Sequence, residues 1–274
     1  MSDDPSSCRA PVDVRRAGGT ELTDDSIAVE TPVALVFNGI SHAVMMATPA
    51  DLEDFALGFS LTEGILEAPE ELYGLEVREE AAGIAVHLQI ATQRFMELKQ
   101  RRRSLAGRTG CGLCGTESLD QAIRPIAPVV APVVADDAIQ HALEMLRWHQ
   151  PLQRETGATH GAAWCDLAGQ VLLAREDVGR HNALDKLIGA LARRDREAQD
   201  GFVLVSSRAS YEMVQKCAGA GIGCLIAVSA PTSLAIEQAR QAGLLLVGFA
   251  RSGRHVIYHQ PASAALPVSH ASGG

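Results

Sequence analysis

The sequence predicts an α/β protein of two lobes: a smaller N-terminal α+β unit and a larger C-terminal unit built on a sheet flanked by helices. Three observations carry this expectation. After residue 200, short apolar runs alternate strictly with amphipathic segments: Phe202 to Ser206, Tyr211 to Ala218, Cys224 to Ser229, Thr232 to Ala242 and Leu244 to Phe249. That is the pattern of strands buried on both faces and joined by crossover helices in a parallel sheet. Before residue 100 the apolar runs are short, alternating and broken by turn residues, as in half-buried strands. Between the lobes lie a glycine-rich stretch with almost no apolar content and a segment carrying Pro125, Pro128 and Pro132, neither of which suits a regular element.

Composition narrows the function classes. In 274 residues, 47% are hydrophobic and 21% charged, which excludes disorder and coiled coil as overall states. The formal net charge of −9 is a poor footprint for a nucleic-acid or membrane-surface binder. The longest apolar runs, Ile126 to Ala135 and Leu244 to Ala250, fall short of the ~20 residues that span a bilayer, so no membrane association is expected. Residues 1–19 lack the basic start and apolar middle of a signal peptide. Six cysteines (Cys8, Cys111, Cys114, Cys165, Cys217, Cys224) are then expected as reduced thiols of a cytoplasmic protein.

Taken in order, residues 1–24 are polar and predicted disordered, and 25–100 form the N-terminal lobe. Within it Asn38-Gly39 suits a type I′ hairpin turn, since both residues tolerate positive φ. Thr48 is expected to cap a helix with Pro49 at its first position and Leu52, Phe55, Ala56 and Phe59 on one face. Residues 101–118 are predicted to be a mobile loop and 119–135 an extended linker. The second lobe occupies 136–260, opening with a helix to about Trp148 and two strands, Gly161 to Leu167 and Gln170 to Glu176, followed by a helix from about Asn182. Residues 261–274 are a flexible tail. Ligands should lie beyond the carboxyl ends of the strands, where the Ser206–Ser210 and Arg251–Arg254 loops emerge.

Four groups of residues stand out chemically. Cys111-Gly112-Leu113-Cys114, flanked by Gly110 and Gly115, presents two sulfurs on a tight turn, with Arg108 available to lower a thiol pKa. A persulfide carrier, a dithiol redox pair and a structural zinc site are the competing readings. Zinc lacks a second ligand pair of suitable spacing, so no metal site is expected; the alternative reading is a nucleotide-sensing or scaffold protein whose cysteine pair holds a structural zinc. Arg175 to Lys186 sets many polar groups between a strand end and a helix start, where a helix N-terminus offers an anion site. Arg180 and His181 are its candidate ligand-binding residues, and His160 lies at the start of an adjacent strand. Ser207 and Arg208 follow a buried strand and lead into a helix, a geometry suited to phosphate. The basic residues Arg94, Lys99, Arg101, Arg102, Arg103 and Arg108 either grip phosphates or an acidic partner, or form a solvated helix face.

The element order of the second lobe invites comparison with zinc deaminases of bases and nucleosides. The His-x-Glu and Cys-x-x-Cys signatures of those enzymes are replaced here by His181-Asn182-Ala183 and Ser207-Arg208-Ala209, so the layout could persist only as a nucleotide-shaped cleft.

Three ordered blocks, Thr48-Pro-Ala-Asp-Leu-Glu-Asp-Phe-Ala-Leu-Gly-Phe with Thr62-Glu-Gly-Ile, Cys111-Gly-Leu-Cys-Gly, and Glu176-Asp-Val-Gly-Arg-His-Asn-Ala-Leu-Asp-Lys, resemble the formate dehydrogenase accessory sulfurtransferase family (FdhD/NarQ) from about residue 27 to 260. The resemblance implies a cytidine-deaminase-like α/β/α core in a homodimeric sulfurtransferase. It implies that sulfur arrives from a cysteine desulfurase and is passed to Mo-bis(molybdopterin guanine dinucleotide), bound as substrate with no permanent cofactor, for formate dehydrogenase. By position, Cys111 would bear the persulfide and Cys114 assist. Phe249, Ala250, Arg251, Ser252, Gly253 and Arg254 would touch the nucleotide part of the substrate.

Overall fold

The computed structural model describes residues 6–106, 125–194 and 200–264. Its first elements correct an expectation. Instead of lacking structure, the N-terminal segment forms a hairpin of β1 (Ser7–Arg16) and β2 (Gly19–Ala28) in continuous antiparallel register. Its polar composition carries no apolar alternation because a two-stranded ribbon satisfies its backbone with little core. The ribbon is tied at its base, where the Ser7 and Ser26 hydroxyls donate to Glu155 at 3.1 and 2.7 Å.

The N-terminal lobe is a four-stranded sheet in the order β4-β3-β6-β5, with β3 (Thr31–Phe37), β4 (Ile40–Ala47), β5 (Leu72–Glu80) and β6 (Gly83–Ile90). Asn38 and Gly39 have φ of 45° and 82°, as the type I′ turn requires. Helix α1 (Leu52–Thr62) packs Phe55, Ala56 and Phe59 onto Val33, Leu35 and Phe37 of the sheet. Thr48 does not cap it. The cap position is Asp51, in left-handed conformation at φ 53°, and Thr48 is engaged with the other lobe. Helix α2 (Thr92–Ala106) runs into the stretch expected to be a loop. On it Arg94 pairs with Glu67, Glu71 and Glu97, and Lys99 stands 5.1 Å over the Phe95 ring, so these two cations are spent locally rather than on a partner.

The segment Pro125–Ala135 has no helix or strand, as the prolines predict. Helix α3 (Asp136–Leu146), a 3₁₀ turn (Arg147–His149) and short α4 (Pro151–Thr156) then lead into a six-stranded sheet of order β12-β11-β10-β9-β7-β8. Its strands are β7 (His160–Asp166), β8 (Val171–Asp177), β9 (Gly201–Val205), β10 (Cys224–Ala227), β11 (Leu245–Arg251) and β12 (Arg254–His259), interleaved with α5 (Arg180–Ala192), α6 (Tyr211–Gly219) and α7 (Ser233–Ala242). Only β9, β10 and β11 are parallel. β7, β8 and β12 run antiparallel to their neighbours, so the sheet is mixed rather than parallel. The reason is local: β7 and β8 are joined by a tight turn, and a short turn can connect only antiparallel strands.

Alternation along each strand feeds two cores. Val203 and Val205 face Leu184, Leu187 and Met213 under α5 to α7, while Phe202 and Leu204 face Ile139 and Ala142 of α3. The result is a three-layer α/β/α arrangement.

Two glycines lock the lobes together. Where α1 crosses α5, a Cβ on Gly58 would lie 1.7 Å from the Asp185 carbonyl oxygen, and one on Gly189 would lie 1.9 Å from that of Asp54. Only bare backbone fits there. Polar groups line the same seam. Lys186 and Asp177, both fully buried, are paired at 2.7 Å. Thr48 donates its N–H to Asp177, accepts the Val178 N–H on its hydroxyl, and receives Lys186 Nζ on its carbonyl. Asp185 accepts from Thr62 at 2.7 Å and from Lys216 at 2.9 Å. Burial pulls Lys216 down, but Asp185 and Glu63 outweigh it and hold the ammonium above its ordinary pKa. Arg175 reaches across to Asp54 at 2.7 Å.

Candidate functional site

The parallel strands β9, β10 and β11 end on one edge of the sheet, and the antiparallel pairing puts the start of β7 and the end of β8 on that edge too, with His160 opposite Asp177. Two helices begin there. α5 opens after Gly179 and α6 after Ser210, each without a side-chain cap, so the positive ends of two helix dipoles point toward this edge. The loops between are stitched to one another. Gly161 N–H donates to the Ser206 hydroxyl at 2.9 Å, Ser229 N–H to the Ser207 carbonyl at 3.4 Å, and Phe249 N–H to the Ser229 carbonyl at 3.1 Å.

This edge gathers His160, Arg180, His181, Ser207 and Arg208, as the sequence predicts. Burial, followed by the nearby Arg180 charge, depresses the His160 pKa, with Asp177 opposing. Burial likewise depresses His181, against the pull of Glu212, whose Oε2 lies 2.9 Å from Nε2. Burial thus disfavours the charged form of both imidazoles. Arg180 Nε is buried and has no partner among the described residues. The Ser207 hydroxyl is turned to the Arg208 carbonyl at 3.0 Å.

The rest of the Arg175–Lys186 block does not face this edge as a ligand site. Glu176 accepts the Leu152 and Gln153 N–H groups at the start of α4. Asp177 accepts from Gly179 and Asn182, and Asn182 also donates to the Met46 carbonyl. Six of its charged or amide side chains, Arg175, Glu176, Asp177, Asn182, Asp185 and Lys186, build the seam and the loop, leaving the half-buried Arg180 and His181 at the edge.

Phe249 to Arg254 occupy the end of β11 and its turn into β12. Phe249 is a non-glycine residue at φ 48°, a costly conformation of the kind that gathers at functional sites. It is forced by the bulge between Gly248 and Arg251, and Gly248 is needed because a Cβ would sit 2.7 Å from Pro231. Ala250 is buried, whereas Arg251, Ser252, Gly253 and Arg254 are exposed. Arg251 lies 5.9 Å over the Phe249 ring. In the sheet order, β10, β9 and β7 lie between β11, which leads to Arg251, and β8, which leads to Arg180. The turn is held to α3 by the Gly253 N–H, which donates to Gln140 at 2.7 Å.

Cys111 and Cys114 lie outside the described residues. The other thiols are placed. Cys165, Cys217 and Cys224 are fully buried, and burial pushes all three pKa values up, that of Cys217 to about 12. Cys8 is exposed on β1. Sequence reasoning missed Glu212, which carries no motif. No helix is long and apolar enough to cross a membrane among the described residues.

Comparison with known proteins agrees with this geometry. The FdhD/NarQ family matches residues 28–265. The chain is 60% identical over 247 residues to the sulfur carrier protein FdhD of Cupriavidus necator, covering 90% of this chain and 86% of the relative. It is 55% identical over 244 residues to the protein of that name from Bordetella petrii, covering 89% and 88%. A crystal structure described as a formate dehydrogenase accessory protein from Desulfotalea psychrophila superimposes with a TM-score of 0.76 and 25% identity, over 95% of this chain and 100% of that one. With the family match spanning both lobes and the seam between them, the chain belongs to the FdhD/NarQ family.

Proposed function

We propose that this protein is a sulfur carrier in formate dehydrogenase maturation, which accepts sulfur on Cys111 from a cysteine desulfurase and delivers it to Mo-bis(molybdopterin guanine dinucleotide). The observation that carries the reading is the convergence of Arg180, Ser207, Arg208, His160, His181 and the starts of two helices on one sheet edge. That edge is suited to the diphosphates of a dinucleotide. The relatives' name supplies the sulfur chemistry.

In the first step the Cys111 thiolate attacks the outer sulfur of the desulfurase persulfide. A new S–S bond forms on Cys111 and the desulfurase cysteine leaves as its thiolate. In the second, the persulfide sulfur leaves at the sulfide level when Cys114 attacks Sγ of Cys111. The two cysteines close a disulfide, which supplies the two electrons. Arg108, close in sequence to Cys111, favours the thiolate. Mo-bis(molybdopterin guanine dinucleotide), the substrate of this transfer, is held meanwhile by its nucleotide portions, and the active form is a homodimer.

The test combines two measurements. Intact mass after incubation with a desulfurase and cysteine should show one added sulfur atom in the wild type and none in Cys111→Ala. Calorimetry should show guanosine diphosphate binding that weakens with salt and with Arg208→Ala. Full sulfur loading of Cys111→Ala refutes the chosen cysteine, and absence of nucleotide binding refutes the chosen edge.

A further inference from the structure

We infer that the groove where helices α1, α5 and α6 end is the docking surface for the sulfur-donor protein, and that it takes a donor segment in which a large apolar side chain is flanked by lysine or arginine. The inference rests on the sulfur-carrier reading above and deepens it by placing the donor.

The groove consists of two hollows that share Leu61, Glu67 and Gly219. One, of about 350 Å³, runs in to Trp164 between Ile188, Leu191 and Ile222. The other, of about 630 Å³, is bounded by Leu66 and by Pro125, Ile126 and Ala127. Both fall within the ~300–1,000 Å³ of binding pockets. Ile188, Ile222 and Leu66 are buried and Leu61 and Leu191 half-buried, so an entering aliphatic or aromatic side chain meets apolar walls and loses its own contact with water.

The rim sets the charge of the partner. α1 ends at Thr62, α5 at Ala192 and α6 at Gly219, so the negative ends of three helix dipoles meet at the groove. α1 and α5 carry no basic residue in their last turns, and Lys216 of α6 is spent on Asp185 and Glu63. Glu67 and Glu70 add two exposed carboxylates. Glu70 forms no ion pair among the described residues, and Arg94, which meets Glu67, is also held by Glu71 and Glu97. An apolar floor inside a negative rim is the complement of a basic and apolar segment.

Chain connectivity chooses which partner. Residues 107–124 carry Cys111 and Cys114 and rejoin the described chain at Pro125, on the wall of the groove. α2, which leads into them, is bound to the same place, because its Arg94 pairs with Glu67 on the rim. At ~3.3–3.6 Å per residue, Cys111 lies no further than about 18 Å from the end of α2, and Cys114 no further than about 40 Å from Pro125. A protein whose persulfide must touch Cys111 therefore binds beside this root, where the groove offers it an anchor.

The experiment loads the full chain from two sources and follows intact mass against time: a cysteine desulfurase with cysteine, and glutathione persulfide, which needs no docking surface. A Cβ on Gly219 meets nothing within 4 Å, so Gly219→Phe fills the groove without displacing the core, and its melting temperature confirms that it folds. At sub-saturating desulfurase it should gain sulfur roughly tenfold or more slowly, the effect of losing an interface hot spot, while its loading from glutathione persulfide keeps the wild-type rate. The double variant Glu67→Lys, Glu70→Lys, changed only at exposed side chains, should be slowed several-fold with the protein donor alone. Wild-type loading from that donor should slow with added salt. Desulfurase loading of both variants at the wild-type rate, or equal slowing with both sources, overturns the docking surface and leaves the sulfur carrier standing. Failure of wild-type Cys111 to gain sulfur from either source refutes the sulfur-carrier reading itself, and this inference with it.

Discussion

Replacing Lys186 by Met tests whether the buried seam holds the lobes together. The ammonium contacts Asp177 at 2.7 Å, the Thr48 carbonyl at 2.9 Å and the Glu176 carbonyl at 3.4 Å. At an effective dielectric constant of about 20, a 2.7 Å pair attracts by roughly 6 kcal/mol, from which the desolvation of both ions is subtracted. Burial already holds the Lys186 pKa below its ordinary value. In the variant Asp177 keeps the N–H donors of Thr48 and Gly179 and the Asn182 amide, which moderate its unpaired charge. The expected loss is therefore about 3–4 kcal/mol, the lower part of the range for breaking a buried pair, out of a total of roughly 5–15 kcal/mol. Adding Asp177→Asn removes the stranded charge, so the double variant should lose less than the sum of the singles by about 1–3 kcal/mol. Urea unfolding followed by emission of the buried Trp164 measures both. A single-variant loss below about 1 kcal/mol, or strict additivity in the double variant, refutes the reasoning.

Gly189→Ala should destabilise by at least the ~1–3 kcal/mol typical of overpacking, since its new Cβ meets the Asp54 carbonyl oxygen at 1.9 Å; a melting temperature within a degree of the wild type contradicts the close crossing. The depressed pKa values of His160 and His181 mean that the unfolded chain takes up protons first on acidification. Their contribution to stability is then complete above the unfolded value near 6.5 and declines as pH falls from there toward the folded values. Stability measured against pH should lose part of its slope in that window in His160→Gln, and an unchanged slope refutes the assignment. Native alkylation should label Cys8 and spare Cys165, Cys217 and Cys224, as peptide mapping will show; rapid labelling of the buried three contradicts their raised pKa values.

The second lobe was legible because its strands are buried on both faces. Phe202 to Val205 and Leu245 to Val247 are continuous apolar runs, and the helices between them carry one apolar face each. Strand direction was legible for β9, β10 and β11, whose alternation with helices predicts the parallel pairing observed, and the short Ala-Gly connection between β7 and β8 fits their antiparallel pairing. The antiparallel pairings of β7 with β9 and of β12 with β11 carried no such signal. The β1–β2 ribbon escaped notice because cross-strand backbone pairing, rather than an apolar face, defines it. At the site, helix and strand boundaries placed Arg180, His181, Ser207 and Arg208 together. The meaning of Asp177, Asp185 and Lys186 was hidden, because charged residues in a row read as surface chemistry, and only the approach of α1 shows that they point inward.

The crossing of α1 over α5 makes the two lobes inseparable despite their sequential order along the chain. A glycine on each helix accepts the other's backbone, so neither helix presents a surface that water could cover in the partner's absence without exposing Phe59, Leu184 and the ions of the seam. The lobes therefore cannot be exchanged between relatives as modules. A chimera joining the first lobe of one protein to the second of another must inherit Gly58, Gly189, Thr48 and the Asp177–Lys186 pair as one set, and a break anywhere between the lobes yields two fragments that each expose this seam.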